Sequence, residues 1–107
     1  YVSHLSSTQN DVNQLELKMS MNSKEYVISG LGNGPIDAFI NGLSKELDID
    51  IKVSDYHQSA ISSGSDARAA AYIELEKDGE TSWGVGINPN TTRASFEAII
   101  VGLSKLI

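Results

Sequence analysis

The first 47 residues of the chain show two hydrophobic patterns, first an alternating one and then one with helical spacing. Every second side chain from Leu15 to Met21 is apolar, which predicts a strand with one buried face over residues 12–21. A turn at residues 22–24 leads into a returning strand at residues 25–29, and residues 2–5 predict a further strand. From Pro35 onward the period becomes helical, with one apolar stripe formed by Ile36, Phe39, Ile40, Leu43 and Leu47.

The second half of the chain follows the same order. Alternation at residues 49–54 and 69–77 predicts two strands, and Asp78-Gly79 predicts a hairpin turn into a third strand at residues 82–87. Asn90 and the two threonines after it are residues that cap helices. A second helical stripe is formed by Phe96, Ile99, Ile100, Leu103 and Leu106.

Short sequence matches indicate that the two halves are copies of one unit. The tetrapeptide GLSK occurs at residues 42–45 and 102–105, and a Gly-x-Gly precedes each helix at residues 30–32 and 84–86. Runs of strands that each end in one helix predict an α+β domain, with helices packed on antiparallel sheet. We therefore expect one domain over residues 1–107, built from two pseudo-symmetric βββα units at about residues 1–47 and 48–107.

Composition narrows the classes of function. The 107 residues are 40% hydrophobic and include no cysteine, so one core is expected and a disulfide or thiolate metal site is excluded. The net charge is −6 and the eight basic residues are scattered, which argues against nucleic acid as a partner. No apolar run approaches the roughly 20 residues that span a bilayer. We expect a cytoplasmic protein, and a fragment of a longer one because the chain opens inside a predicted strand.

Catalysis has little support in the sequence. His4 and His57 are 53 positions apart and lack metal-ligand spacing, and the predicted loop at residues 62–66 lacks the nucleophile elbow of a serine hydrolase. No HExxH, CxxC or EF-hand pattern is present. A free-standing small enzyme is therefore the least favoured class.

A glycine-rich turn, GLGNGPIDAF at residues 30–39, opens the first predicted helix. Pro35 stands where a dinucleotide-binding pattern needs its last glycine, and the Gly-Lys-Ser/Thr of a P-loop is missing. One interpretation is that Gly32 and Gly34 adopt unusual backbone angles while Asn33 caps the helix. The other is that free N–H groups at the helix start bind an anion, a carboxylate as well as a phosphate.

Residues 55–72 contain five alanines, where strands usually carry larger β-branched side chains. Tight packing of a helix on the sheet would explain them, and so would a cleft that leaves room for an apolar ligand. Composition leaves both interpretations open.

Five separated motifs resemble one known family. Gly32-Asn33-Gly34-Pro35, followed by Asp37-Ala38, is similar to the GNGP-x-DA turn of the C-terminal regulatory domain of 2-isopropylmalate synthases. The similarity continues at residues 55–56, 63–67, 69–72 and 83–87, in the same order, and covers nearly the whole chain. The related citramalate synthases carry a similar domain.

The resemblance implies a regulatory and non-catalytic role for this chain. The parent enzymes are acyltransferases that condense acetyl-CoA with a 2-oxo acid, 2-oxoisovalerate, on a TIM barrel that uses a divalent metal. Leucine inhibits them by feedback. The implied partners are L-leucine, a second copy of the domain and the catalytic barrel of the same polypeptide, with no cofactor in the domain itself.

The resemblance also implies an effector site between the two units. In the first unit its residues correspond to Gly32, Asn33, Gly34, Ile36 and Asp37. In the second unit they correspond to Val53, Tyr56, Ala60, Ala67, Ala69 and Ile87. In this arrangement the N–H groups at the helix start hold the effector carboxylate, the small apolar residues surround its side chain, and backbone carbonyls or Asp37 receive its ammonium.

The identity of the effector follows from the resemblance alone. Burying an isobutyl group contributes about 1.5–3 kcal/mol. Apolar pockets discriminate between such similar side chains by only about 1–3 kcal/mol. Two alternatives therefore stay open: an isoleucine-sensing domain of a citramalate synthase, and a dimerisation module that binds no effector.

Overall fold

Two three-stranded antiparallel sheets, each followed by a helix, make up the fold. A computed structural model describes residues 2–9, 12–60 and 67–107, with side chains from Gln14 onward. The predicted α+β class, with helices on antiparallel sheets, is confirmed. The elements are β1 Val2–Gln9, β2 Val12–Met21, β3 Lys24–Gly32, α1 Pro35–Leu47, β4 Ile51–Ala60, β5 Ala69–Lys77, β6 Glu80–Asn88 and α2 Thr91–Ser104.

The chain divides into two compact units, the first ending at Asp50 and the second beginning at Ile51. In the first unit the strand order is β1-β2-β3 and α1 packs on β2 and β3. Asn22 and Ser23 both have positive φ, 52° and 66°, as in the turns whose twist suits a two-residue hairpin. The buried side of the unit holds Leu15, Leu17, Met19, Met21, Ile28, Phe39 and Leu43.

The second unit has the order β4-β5-β6, with α2 packed on β5 and β6. Asp78 and Gly79 make the predicted hairpin turn with φ of 53° and 81°. Asn90 is the predicted cap, since its Oδ1 accepts a hydrogen bond from the N–H of Arg93 at 3.0 Å. The core of the second unit is formed by Ala71, Ile73, Leu75, Phe96, Ile99 and Leu103.

The two units bring helix and sheet together through equivalent glycines. A Cβ added at Gly30 would collide with the carbonyl of Ala38, and one at Gly84 with the carbonyl of Ala98. Both would also meet the N–H of a helical glycine, Gly42 or its counterpart 60 positions later. These contacts repeat in matching places, so the GLSK and Gly-x-Gly repeats correspond to one packing scheme used twice.

Four strands are longer than predicted. β1, predicted at residues 2–5, continues to Gln9, and β6, predicted at residues 82–87, spans Glu80–Asn88. β3 continues to Gly32 rather than ending at residue 29, because Gly32 still pairs with Asn13 of β2. β4 continues from residue 54 to Ala60, which pairs with Ala69 of β5. The predicted loop at residues 62–66 lies outside the described residues. Neither α1 nor α2, in the part of the chain that the structure describes, has the length and apolar character of a membrane-crossing helix.

Candidate functional site

The start of α1 lies in the glycine-rich turn, and Gly34 is its N-cap residue. Gly34 has an extended backbone, with φ −161° and ψ 175°, and Pro35 takes the first helical position. The first hydrogen bond of the helix is donated by the N–H of Ala38 to the carbonyl of Gly34, at 2.9 Å. The N–H groups of Ile36 and Asp37 therefore precede the hydrogen-bond ladder, as the first N–H groups of any helix do.

The interpretation in which Asn33 is the N-cap of this helix is wrong. Gly34 is the N-cap residue and makes no side-chain cap hydrogen bond, while the backbone N–H of Asn33 donates to Asp37 Oδ2 at 3.0 Å. Among the described glycines only Gly79 has positive φ, so Gly32 and Gly34 do not supply unusual backbone angles. The carboxylate of Asp37 lies in the first turn, where it suits the positive end of the helix dipole, and it holds the turn closed.

The two glycines of this turn have different roles. A Cβ at Gly32 would lie 2.5 Å from the N of Ala38 and 2.7 Å from Asp37 Oδ2, so the close approach of strand and helix requires glycine there. A Cβ at Gly34 would have no heavy atom within 4 Å. Gly34 therefore borders open space next to the N–H groups that begin α1.

A comparison of the two helices explains this open space. The equivalent contacts of Gly30 and Gly84 relate Ala38 to Ala98, an offset of 60 residues. At that offset Pro35 corresponds to Ser95, yet α2 already begins at Thr91, one turn earlier. The first unit lacks this extra turn of helix, and the GNG turn stands in its place.

In the second unit, four of the predicted residues lie on one face of the sheet. Val53 pairs with Leu75, Tyr56 with Ile73, and Ala60 with Ala69. Because paired residues in antiparallel strands point to the same face, all four share the face on which Ile73 and Leu75 are buried.

A β-bulge makes this arrangement possible. Val53 and Tyr56 are three positions apart, so regular alternation would place them on opposite faces. The register shifts between Val53 and Asp55, leaving Ser54 as the extra residue. Ser54 Oγ donates to Glu74 of β5, to its Oε1 at 2.8 Å and its carbonyl at 3.3 Å.

Tyr56 is linked to α2 through a residue that the sequence analysis missed. Its hydroxyl lies 3.0 Å from Ser95 Oγ, and Ser95 Oγ donates to the carbonyl of Thr91 at 3.1 Å. Ser95 is only 1% exposed, whereas Tyr56 retains 38% exposure. No sequence signal marks Ser95, because a single serine on a predicted helix is an ordinary surface residue until packing shows it buried.

Two predicted residues of the second unit lie apart from these four. Ile87 pairs with Ala70, which places it on the opposite face of the sheet, where it is 48% exposed. Ala67 precedes β5 and is exposed. On the same face as Ile87, His57 stacks on Trp83 with ring centroids 6.2 Å apart, and His57 Nε2 lies 3.3 Å from Asp55 Oδ2.

The described residues contain no group of three His, Cys, Asp or Glu that could hold a metal ion. The divalent metal implied for the parent enzymes therefore finds no ligand set in this part of the chain. A cavity of about 370 Å³ between β2 and β3 is open, and none of the predicted site residues is among those that line it: Lys18, Met19, Ser20, Glu25, Tyr26 and Val27.

Fold and site together define a class of protein: an α+β domain of two βββα units with an open helix start. The sequence model of one family, the LeuA allosteric (dimerisation) domain, matches residues 2–107, and the chain belongs to this family. The resemblance of the five motifs is thus confirmed.

Relatives of known name are 2-isopropylmalate synthases. The chain is 42% identical over 92 residues to the enzyme of Parafrankia sp. (strain EAN1pec), which covers 86% of the chain and 16% of that relative. It is 38% identical over 107 residues to that of Cupriavidus taiwanensis, covering 98% of the chain and 18% of the relative. It is 47% identical over 78 residues to that of Thermobifida fusca, which covers 73% of the chain and 14% of that relative. The chain thus spans less than a fifth of the length of these relatives.

Proposed function

We propose that this chain is the leucine-sensing regulatory domain of a 2-isopropylmalate synthase, the cytoplasmic enzyme of leucine biosynthesis that L-leucine inhibits by feedback. The observation that carries the proposal is the match of an allosteric domain family to residues 2–107. The names of the relatives, all 2-isopropylmalate synthases, support the choice of parent enzyme. The domain itself performs no chemistry; the barrel of the parent enzyme supplies the metal and the catalytic residues.

The effector carboxylate binds at the start of α1. The N–H groups of Ile36 and Asp37 precede the helix ladder, and the space at Gly34 is open. A carboxylate placed there accepts charge-assisted hydrogen bonds and meets the positive end of the helix dipole. The turn that α1 lacks relative to α2 supports this placement.

The effector side chain binds against the small apolar residues of the second unit. Val53, Ala60 and Ala69 share a sheet face with Tyr56, and the alanines leave room that larger residues would fill. Ala67 and Ile87 belong to the proposed site by resemblance, and their positions apart from this face make them the residues whose role most needs a direct test. Binding then biases a homodimer whose state is transmitted to the catalytic barrel.

Calorimetric titration of the chain with L-leucine, L-isoleucine, L-valine and D-leucine tests the proposal. We expect saturable binding of L-leucine, weaker binding of the two other branched-chain amino acids, and none of D-leucine. A chain that unfolds cooperatively and yet binds no branched-chain amino acid would contradict leucine sensing. A preference for isoleucine would instead favour the domain of a citramalate synthase.

A substitution at Ala60 tests the location of the pocket. Ala60→Phe fills the space beside Ala69, and we expect leucine affinity to fall by more than tenfold, a loss above about 1.4 kcal/mol. Lys52→Phe is the matched control, since Lys52 pairs with Glu76 on the other face of the same strand and lies at the end of β4 away from Ala60. It should bind leucine normally.

The family description also names dimerisation, which favours a second candidate function: a dimerisation module without an effector. In that case Ala60→Phe and Lys52→Phe would leave feedback inhibition of the whole enzyme equally unchanged.

A further inference from the structure

The strand β6 lies at an edge of the second sheet. The order β4-β5-β6 places β5 on one side of it, and no strand among the described residues pairs with its other side. In a two-residue hairpin the residues that flank the turn, here Lys77 and Glu80, are hydrogen-bonded to each other. Because hydrogen-bonded and non-hydrogen-bonded pairs alternate from there, Trp83, Val85 and Ile87 direct their N–H and C=O groups away from β5.

One contact agrees with this direction of the backbone. Lys105 Nζ, just beyond α2, donates to the carbonyl oxygen of Trp83 at 2.9 Å, which it can reach because that oxygen points out of the sheet. In the part of the chain that the structure describes, no side chain binds the corresponding groups of Val85 and Ile87. These backbone groups therefore form an unpaired row along β6.

The side chains along this row are apolar and exposed. Trp83, Val85 and Ile87 retain 40%, 44% and 48% exposure, and they share one face of the sheet with Tyr72, the partner of Val85 on β5. A continuous apolar edge strand with unpaired backbone groups is a template for pairing with a further strand.

Two other edges of the fold are less suited to such pairing. By the same alternation β3 directs Val27, Ser29 and Leu31 outward, so a serine interrupts its apolar row, and Asn41 Nδ2 donates to the carbonyl of Leu31 at 2.8 Å. The edge of β4 carries the bulge at Ser54. Bulges and polar side chains are common means of protecting an edge from other strands.

We propose that two copies of this chain associate through β6, which pairs antiparallel with β6 of the second copy to form one continuous sheet. Identical strands that pair antiparallel are related by a two-fold axis, the symmetry of a homodimer. The side-chain period of two then brings the apolar residues of both strands together on one face. The inference rests on the proposed function, in that the chain forms a homodimer, and it assigns the contact to the backbone groups of Val85 and Ile87.

Amide hydrogen exchange of the unmodified chain tests the pairing directly. The N–H groups of Val85 and Ile87 should exchange slowly at a concentration where sedimentation shows a dimer. After dilution to the monomer they should exchange about tenfold faster or more, because they are then exposed to water. The N–H groups of Val27 and Ser29, at the edge of β3, are the control and should exchange at the same rate under both conditions.

A charge at Val85 tests the same surface by mutation. Val85→Glu brings like charges together across the two-fold axis, and we expect the dissociation constant of the dimer, measured by sedimentation, to rise about tenfold or more. Mixing Val85→Glu with Val85→Lys should restore association, since the charges then attract. Leu31→Glu is the matched control, because Leu31 and Val85 follow the equivalent glycines of the two units, and it should dimerise as the unmodified chain does.

The inference is overturned if Val85→Glu, folded by circular dichroism, dimerises as tightly as the unmodified chain, or if Leu31→Glu weakens the dimer equally. Equal exchange of the Val85 and Ile87 amides in dimer and monomer would also overturn it, and this measurement decides the matter if Val85→Glu does not fold. These failures leave the homodimer of the proposed function standing. An unmodified chain that is monomeric at every concentration would instead contradict the homodimer itself, and this inference with it.

Discussion

At the scale of single residues, Gly32 and Gly34 separate the needs of folding from those of binding. The packing of strand on helix requires glycine at Gly32, where a Cβ would meet Ala38 and Asp37. Nothing in the fold requires glycine at Gly34, whose extended φ suits any residue and whose missing Cβ faces open space. A ligand bound at the helix start would occupy this open space.

Gly34→Ser should preserve the fold and impair binding. Serine is a preferred N-cap residue, because its Oγ accepts a hydrogen bond from an N–H of the first turn. The free energy of unfolding should therefore stay the same or rise, by at most about 1 kcal/mol. The same hydrogen bond occupies a donor that the effector carboxylate needs. We expect at least a tenfold weaker leucine affinity, measured by calorimetry.

Gly32→Ala is the contrasting variant. Its Cβ has no room, and we expect it to destabilise the chain by about 1–3 kcal/mol in chemical denaturation. Undiminished leucine binding by Gly34→Ser would remove the helix start from the site.

At the scale of elements, the bulge in β4 determines which side chains meet. With Ser54 as an extra residue, Val53 and Tyr56 both lie on the face that also carries Ile73 and Leu75. A strand without the bulge would turn one of them away. The alternation at residues 49–54 predicts only the first part of β4 and gives no sign of the shift that follows.

Deleting Ser54 should therefore abolish leucine binding. The deletion restores regular alternation and moves either Val53 or the segment from Tyr56 to Ala60 to the other face. Binding is measured by calorimetry and folding by circular dichroism. Ser54→Ala is the control, since it removes the hydrogen bonds to Glu74 but keeps the extra residue, and it should cost about 0.5–1.5 kcal/mol of stability with affinity retained. Equal binding by both variants would argue against the bulge as the device that builds the site.

At the scale of the whole molecule, the chain matches a small part of much longer relatives, and its stability should depend on what it binds. The chain spans 16% of the Parafrankia enzyme, and its family is described as a dimerisation domain. A ligand or a second copy that binds only the folded state stabilises it by mass action.

L-leucine at 100 times its dissociation constant should therefore raise stability by about 2.7 kcal/mol. For a domain of this size the rise corresponds to roughly 10–20 °C in Tm by calorimetry. In the proposed homodimer, association is linked to folding, so Tm should also rise with protein concentration. D-Leucine is the control. A Tm that changes with neither L-leucine nor protein concentration would contradict a dimeric sensor.

The sequence by itself determined the two βββα units and the place of the helix start. Alternation and helical stripes are local signals that show which face of an element meets the core. Turn residues such as Asp78-Gly79 are local signals that show where one strand ends and the next begins. The strands Val12–Met21 and Ala69–Lys77 and the start of α1 at Pro35 were predicted residue for residue for this reason.

Only the tertiary structure decided how the site residues are arranged. The bulge at Ser54, the placement of Ile87 on the opposite face and the burial of Ser95 beneath Tyr56 all depend on pairing between strands or packing against a helix. The same holds for the glycine turn, whose sequence suggested unusual angles and a cap from Asn33. In the structure, Gly32 closely approaches α1 and Gly34 borders open space. Both features depend on where α1 begins and packs, which the residues of the turn do not reveal.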